Sequence, residues 1–325
     1  MPFVSTPVSL LDIFLGAVLP IVAISGVGFV LGRIKDVDPG PLNTGVVYVL
    51  APALVLHSLA TASLSGETIA KLTIAVTAYI LGMVVLGEAV GRLLGESEPR
   101  LSALVLAATF PNCGNYGIPL SDFAFPGGGR ATAVLYLAIQ SVLIYTVGVY
   151  VASRAGGGGG LSGVKRVLRI PLVWAVPVAL GARWLGVVPP VDGSAMTTLQ
   201  LVGDSSIPVM LLILGIQLAR TDYGTALSQV GVPSVLKMVV APAVAVAVAL
   251  VVGFSDPTVA RVFVLESAMP AAITPVILVT EFAGDRQIGG VSIPEYVSTI
   301  VLVTTVASLP LLTGLIALLQ GGFVV

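Results

Sequence analysis

The sequence predicts an all-α membrane protein: ten transmembrane helices in two inverted five-helix repeats, with helices four and nine broken and crossing. Three observations predict it. Hydrophobic residues make up 56% of the 325-residue chain, charged residues only 10%, and the mean hydropathy is +1.07. A soluble core has no use for that much apolar surface, so the surrounding solvent is lipid. Ten apolar runs of about spanning length follow one another through short connections. Finally, the two halves match at a common shift, on either side of a run of glycines.

The candidate spans are 8–32, 40–62, 69–95, 100–124, 130–153, 165–187, 194–218, 225–253, 258–282 and 295–320. The first carries no basic leader and no small-residue cleavage site, which predicts a retained helix rather than a signal peptide. Lys and Arg in the loops set the orientation. With the N-terminus outside, Arg33, Lys35, Arg92, Arg100, Arg154, Lys165, Arg166, Arg169, Arg220 and Arg286 lie inside. Lys71, Arg130, Arg183 and Arg261 lie outside. That bias puts both termini on the outer side of the cell membrane. The net charge of −1 gives no electrostatic case for nucleic acid. Cys113 is the only cysteine, which excludes an internal disulfide and a cysteine-based metal cluster.

The run RAGGGGGLSG divides the chain into a first five-helix repeat, 1–155, a linker, 156–164, and a second five-helix repeat, 165–325. At a shift close to 159 residues Pro111 falls on Pro270, and Asp122, Phe123 and Ala124 fall on Glu281, Phe282 and Ala283. Pro52 sits near Pro208 at a shift of 156. Five helices is an odd number, so the second repeat starts from the opposite face of the membrane and the repeats are inverted. This is an architecture of secondary transporters.

The stretch TFPNCGNYGIPL, residues 109–120, is the least helical segment of a strongly apolar region. Irregular backbone at membrane depth is tolerated where it lines a cavity or is buried in protein. Pro111 therefore breaks helix four, and Pro270, helped by Pro275, breaks helix nine. Two such breaks meeting mid-bilayer expose half-helix N-termini that suit an anionic group. Asn112, Asn115, Tyr116 and Thr274 add polar groups, and Gly114 and Gly117 let a ligand approach the backbone. The predicted substrate-binding set is Pro111, Asn112, Gly114, Asn115, Tyr116, Pro270, Thr274 and Pro275.

Ionisable groups inside a bilayer are costly and are functional candidates. Glu266, four residues before Pro270, is a candidate to bind Na⁺ or carry a proton, against a carboxylate merely paired with Arg261. Gln140 and Ser141 are candidate oxygen ligands, with Ser298 and Thr299 as their repeat mates; helix–helix hydrogen bonding is the plainer reading. His57, the only histidine, is a candidate proton relay. Lys237 is a candidate charge relay that would neutralise Glu88, Asp204 or an anionic substrate. Asp12 and Glu295 sit near helix ends, where side chains reach water.

NCGNYGIPL, taken with AMPAAITPVILVTEFAGD, resembles the auxin efflux carrier family, which includes plant PIN carriers and bacterial malonate and malate transporters. APALVLHSLA, around His57, resembles the PIN segment with a histidine shortly after a proline. The resemblance spans nearly the whole chain. It implies a bile acid–sodium symporter-like fold with a scaffold domain, a transport domain and a proline at each crossing helix. It also implies organic anions as substrates. The long cytoplasmic loop of many plant PIN carriers is replaced by the glycine linker. ESAMPAAI further resembles the sodium-binding stretch of bile acid–sodium symporters, with Met269 three residues after Glu266. Pro270 and Ala271 stand where those relatives have Gln and Asn.

The functional expectation is a secondary active transporter of small organic anions such as malate, malonate or auxin-like acids. It needs no cofactor, no metal beyond Na⁺ as coupling ion, and no ATP, since no GxxxxGK[ST] loop is present. Its partners are the substrate, the bilayer and, in a homodimer, a second copy. The alternatives are a bile-acid-type sodium symporter for larger amphipathic anions and a substrate sensor on a transporter fold. An intramembrane hydrolase is disfavoured, because His57 and Ser58 are the only His–Ser neighbours and no nucleophile motif accompanies them.

Overall fold

The computed structural model describes residues 15, 18–35, 37–61, 64–156, 171–220, 225–284, 286–322 and 324. Helix α1 is Leu19–Ile34. Helix α2, Pro39–Thr61, starts at Asp38, whose carboxylate accepts the Gly40 N–H at 2.9 Å. Helix α3, Gly66–Leu93, starts at Ser65, whose hydroxyl accepts the Thr68 N–H. These short polar residues satisfy N–H groups that the first helical turn leaves without partners.

Helix α4 is Arg100–Thr109. A wide π turn, Cys113–Gly117, leads into α5, Ile118–Ala124. Helix α6 is Gly129–Ala155, α7 is Pro171–Trp184, α8 is Ser194–Arg220 and α9 is Gly231–Val252. Helix α10, Pro257–Ser267, is capped by Asp256, and α11 is Thr274–Ala283. Helix α12, Ile293–Gln320, is capped by Ser292.

Helices α2, α3, α6, α8, α9 and α12 are long and apolar enough to cross a membrane; α1, α4 and α11 are shorter apolar helices. The outer surface is apolar too. Leu93, Trp184 and Val251 are each 87% exposed, which water would not tolerate in such number and lipid does. The chain is an all-α multi-pass membrane protein.

One short hairpin, β1 (Gln287–Ile288) against β2 (Val291–Ser292), precedes α12 in the chain. Gly289 and Gly290 have φ of 62° and 81°, the pair of positive φ values that a tight hairpin turn requires. From Leu19 onward the first predicted span, 8–32, falls in the helix Leu19–Ile34, and residues 8–14 lie outside the described residues. Asp12, Lys165, Arg166, Arg169 and linker residues 157–164 lie outside the described residues.

The helices form two groups. Helix α1 lies along α8, and α2 packs on α7 and α8; α3, α4, α6 and α9 to α12 pack among themselves. The α1–α8 contact is close because both sides are small. A Cβ at Gly28 would lie 3.0 Å from Leu212 Cα, and one at Gly215 would lie 2.6 Å from the Phe29 nitrogen and inside the Ser25 carbonyl oxygen. Small residues at such seams let backbones approach and gain dispersion contacts that lipid cannot match.

Candidate functional site

The two breaks meet. Pro111 and Ala271 form an isolated antiparallel bridge. The Asn112 N–H donates to the Pro270 carbonyl at 2.8 Å, and the Ala272 N–H donates to the Phe110 carbonyl at 3.0 Å. Each interrupted chain thus satisfies the other's backbone where both helices are broken. The proline positions are compatible with this because the donors are residues 112 and 272, not the prolines. The bridge sets Pro111 opposite Ala271, the residue after Pro270.

Two side chains complete the junction. Gln140 Nε2, on α6, donates to the Pro111 carbonyl at 2.8 Å. Thr304, on α12, accepts the Ala271 N–H at 3.1 Å. On the same helix the Thr299 hydroxyl donates to the Glu295 carbonyl at 2.8 Å. Replacing Gln140 with leucine leaves the buried Pro111 carbonyl without its donor. The expected cost is about 1–3 kcal/mol of stability, read as a lower unfolding temperature of the purified protein.

A cavity of 170 Å³ opens against the crossing. Pro111, Asn112, Gly114, Asn115 and Thr274 line it, as do Gln140 and Ser141. Five of the eight predicted substrate residues are therefore together. Gln140 and Ser141, the candidate oxygen ligands of helix five, line this cavity. On the opposite wall stand Asn43, Val46 and Ala51 of α2 and Met210 of α8, so the cavity lies between the two helix groups. No lining residue carries a charge. Among the described residues, no hydrogen bond within the protein takes up the side-chain amides of Asn112 and Asn115.

Tyr116, Pro270 and Pro275 do not line the cavity. Tyr116 is buried, and its hydroxyl accepts a hydrogen bond from Ser308 at 3.3 Å. Pro270 and Pro275 are buried as well, shaping the break from behind. His57 is half-buried on α2 and also lies outside the lining.

Glu266 is fully buried near the end of α10. Ser121 of α5, not Arg261, is its partner: the Ser121 hydroxyl donates to Oε1 at 2.6 Å. Oε2 has no hydrogen-bond partner among the described residues. Gly117 makes room for the carboxylate, since a Cβ there would lie 2.9 Å from Oε1 and closer still to Oε2. Met269 is buried beside it, its N–H donating to the Glu266 carbonyl at 3.3 Å.

Lys237 is also fully buried, and its expected partners are corrected. Glu88 pairs with Arg92 and Arg154 at 2.7 Å each. Asp204 pairs with Arg130, which also holds Asp122 at 2.6 Å. Lys237 Nζ instead reaches the Tyr79 hydroxyl at 3.1 Å and the Ser267 carbonyl at 3.2 Å.

Sequence reading missed Thr304, Ser121, Asn43 and Tyr145, the last also a cavity residue. Asn43 alone carried a signal, as a polar residue just inside an apolar span. The others are ordinary small or amphipathic residues of membrane helices.

A family profile described as "membrane transport protein" matches residues 13–159 and 160–316. The chain belongs to this family, the auxin efflux carriers. The transporter is 27% identical over 297 residues to an "Uncharacterized transporter" of Methanothermobacter thermautotrophicus, covering 91% of this chain and 95% of the relative. It is 24% identical over 320 residues to a Rhizobium meliloti (strain 1021) protein named "Putative malonate transporter", covering 94% and 96%. An "Uncharacterized transporter" of Methanocaldococcus jannaschii is 22% identical over 282 residues, covering 83% and 89%.

Proposed function

We propose that this transporter is a secondary active carrier of small organic anions, working by alternating access and coupled to Na⁺ or H⁺ at Glu266. The observation that carries the reading is the cavity at the crossing, with the Asn112 and Asn115 amides open to a ligand. Amide N–H groups and the start of α11 at Thr274 hydrogen-bond a carboxylate without confining it beside a fixed cation. A volume of 170 Å³ favours a short carboxylic acid over a bulky amphipathic anion, for which roughly 300 Å³ or more is usual. The name of the Rhizobium relative, with malonate in it, agrees with that size.

In this reading the chain has ten spans, with residues 1–155 and 165–325 as inverted repeats and both termini outside the cell membrane. The group containing the crossing moves against α1, α2, α7 and α8. Two features support such a motion. The cavity lies between the groups, and on α6 its lining runs from Leu137 toward Tyr145. At the other end of α6, Arg130 ties Asp122 of the crossing group to Asp204 of α8. In this reading, those ion pairs hold the two groups together at that end of α6.

The test is a thermal-shift screen of the purified protein against short mono- and dicarboxylates, with and without Na⁺ and at two pH values. A ligand at a hundred times its Kd should raise the unfolding temperature by about 5 °C or more. A screen in which no carboxylate stabilises the protein, while neutral polar solutes do, overturns the anion reading.

A further inference from the structure

Lys237 remains to be explained. It is fully buried, away from both water and lipid, and among the described residues no carboxylate lies within ion-pair distance of it. An unpaired ammonium at membrane depth is costly, so something else must hold it.

What holds it is the end of a broken helix. Lys237 sits in a π turn of α9, Leu236–Val240, a local widening often found at functional positions. Its Nζ donates to the carbonyl of Ser267 and to the Tyr79 hydroxyl, and lies 5.7 Å from the Tyr79 ring centroid. The Tyr79 hydroxyl in turn donates to the same Ser267 carbonyl at 2.9 Å. Tyr136 and Ser267 share a hydroxyl–hydroxyl bond of 3.1 Å. Ser267 is the last residue of α10. Side chains from α3, α6 and α9 thus converge on the point where α10 stops, three residues before the proline of the break. The last carbonyls of a helix lack intrahelical donors and form its negative pole. At the other break, the carbonyl of Pro111 itself is met by the neutral amide of Gln140.

We infer that Lys237 is a resident counter-cation for the C-terminal end of α10. Its ammonium does from within the protein what a mobile cation does at a half-helix end in other transporters, where freed carbonyls collect Na⁺. This end of the crossing therefore takes up no exchangeable cation, and any ion response rests on the carboxylate of Glu266. The inference concerns the charge of one helix end and does not rest on the identity of the transported anion.

The test reads stability and supplies the missing charge from solution. Lys237→Ala removes a propylammonium-sized group, and its unfolding temperature in detergent is expected to fall by about 5 °C or more. Adding n-propylammonium chloride should restore at least half of that loss, while 1-propanol at the same concentration should not. Lys237→Met should lose nearly as much as Lys237→Ala, and Lys237→Arg clearly less. Equal rescue by 1-propanol, or a Lys237→Met protein as stable as the wild type, would overturn the inference, because the charge would then be doing nothing. If the alanine variant cannot be purified, the arginine and methionine variants decide: methionine retaining as much stability as arginine also overturns it.

Discussion

Replacing Glu266 with glutamine is expected to yield a transporter whose uptake, in reconstituted vesicles, no longer responds to an imposed Na⁺ or H⁺ gradient. The carboxylate is fully buried, and a charge at the bilayer centre costs about 2.5–3.5 kcal/mol on the insertion scale. Its single hydrogen bond, from Ser121, offsets part of that cost. Oε2 is left over, and a bound proton or Na⁺ would neutralise it. Glutamine has nearly the same shape, and its carbonyl oxygen still accepts from Ser121, so the fold should survive. What disappears is the charge that makes a cation worth binding. Ion stimulation should fall by roughly tenfold or more, since each 1.4 kcal/mol of coupling is a factor of ten. Substrate binding in the thermal-shift assay should remain. An undiminished gradient response in Glu266→Gln removes this residue from the coupling mechanism and leaves the cavity reading standing.

The second large effect is structural. Gly215→Ala adds one methyl group to α8 and is expected to destabilise the protein by about 3 kcal/mol. The new Cβ would overlap the Ser25 carbonyl oxygen and lie 2.6 Å from the Phe29 nitrogen. Both are backbone atoms of α1, which cannot rotate away as a side chain can. The two helices must separate, and with them the wall of the cavity that α8 supplies through Met210. Gly82→Ala in α3 is the control, because a Cβ there meets nothing within 4 Å and alanine is the better helix former. An unfolding temperature of Gly215→Ala equal to that of Gly82→Ala would show that the α1–α8 seam is not closely packed in the membrane.

Much of the site was legible in the chain itself. Pro111 and the glycines and asparagines that follow it stand out in an apolar run, and the cavity forms around them. Pro270 announces the second break, and the breaks do meet, hydrogen-bonded to each other. The partners at the junction were less legible: the bridge sets Pro111 opposite Ala271, and Thr304 of α12 accepts the Ala271 N–H. Small residues look alike at every step of a membrane helix, so the sequence does not show which of them face each other.

By itself the sequence determined that the solvent is lipid, that the chain is helical and that it breaks where it does. Those outcomes depend on hydrophobicity, on proline's missing N–H and on residues a few positions apart. Only the tertiary structure decided partnership. Glu266 is held by Ser121, 145 residues away, and Lys237 by Tyr79, 158 residues away, not by any acid the sequence suggested. A buried polar group must be satisfied by whichever atoms packing brings within 3 Å or so, and no local pattern encodes which atoms those are.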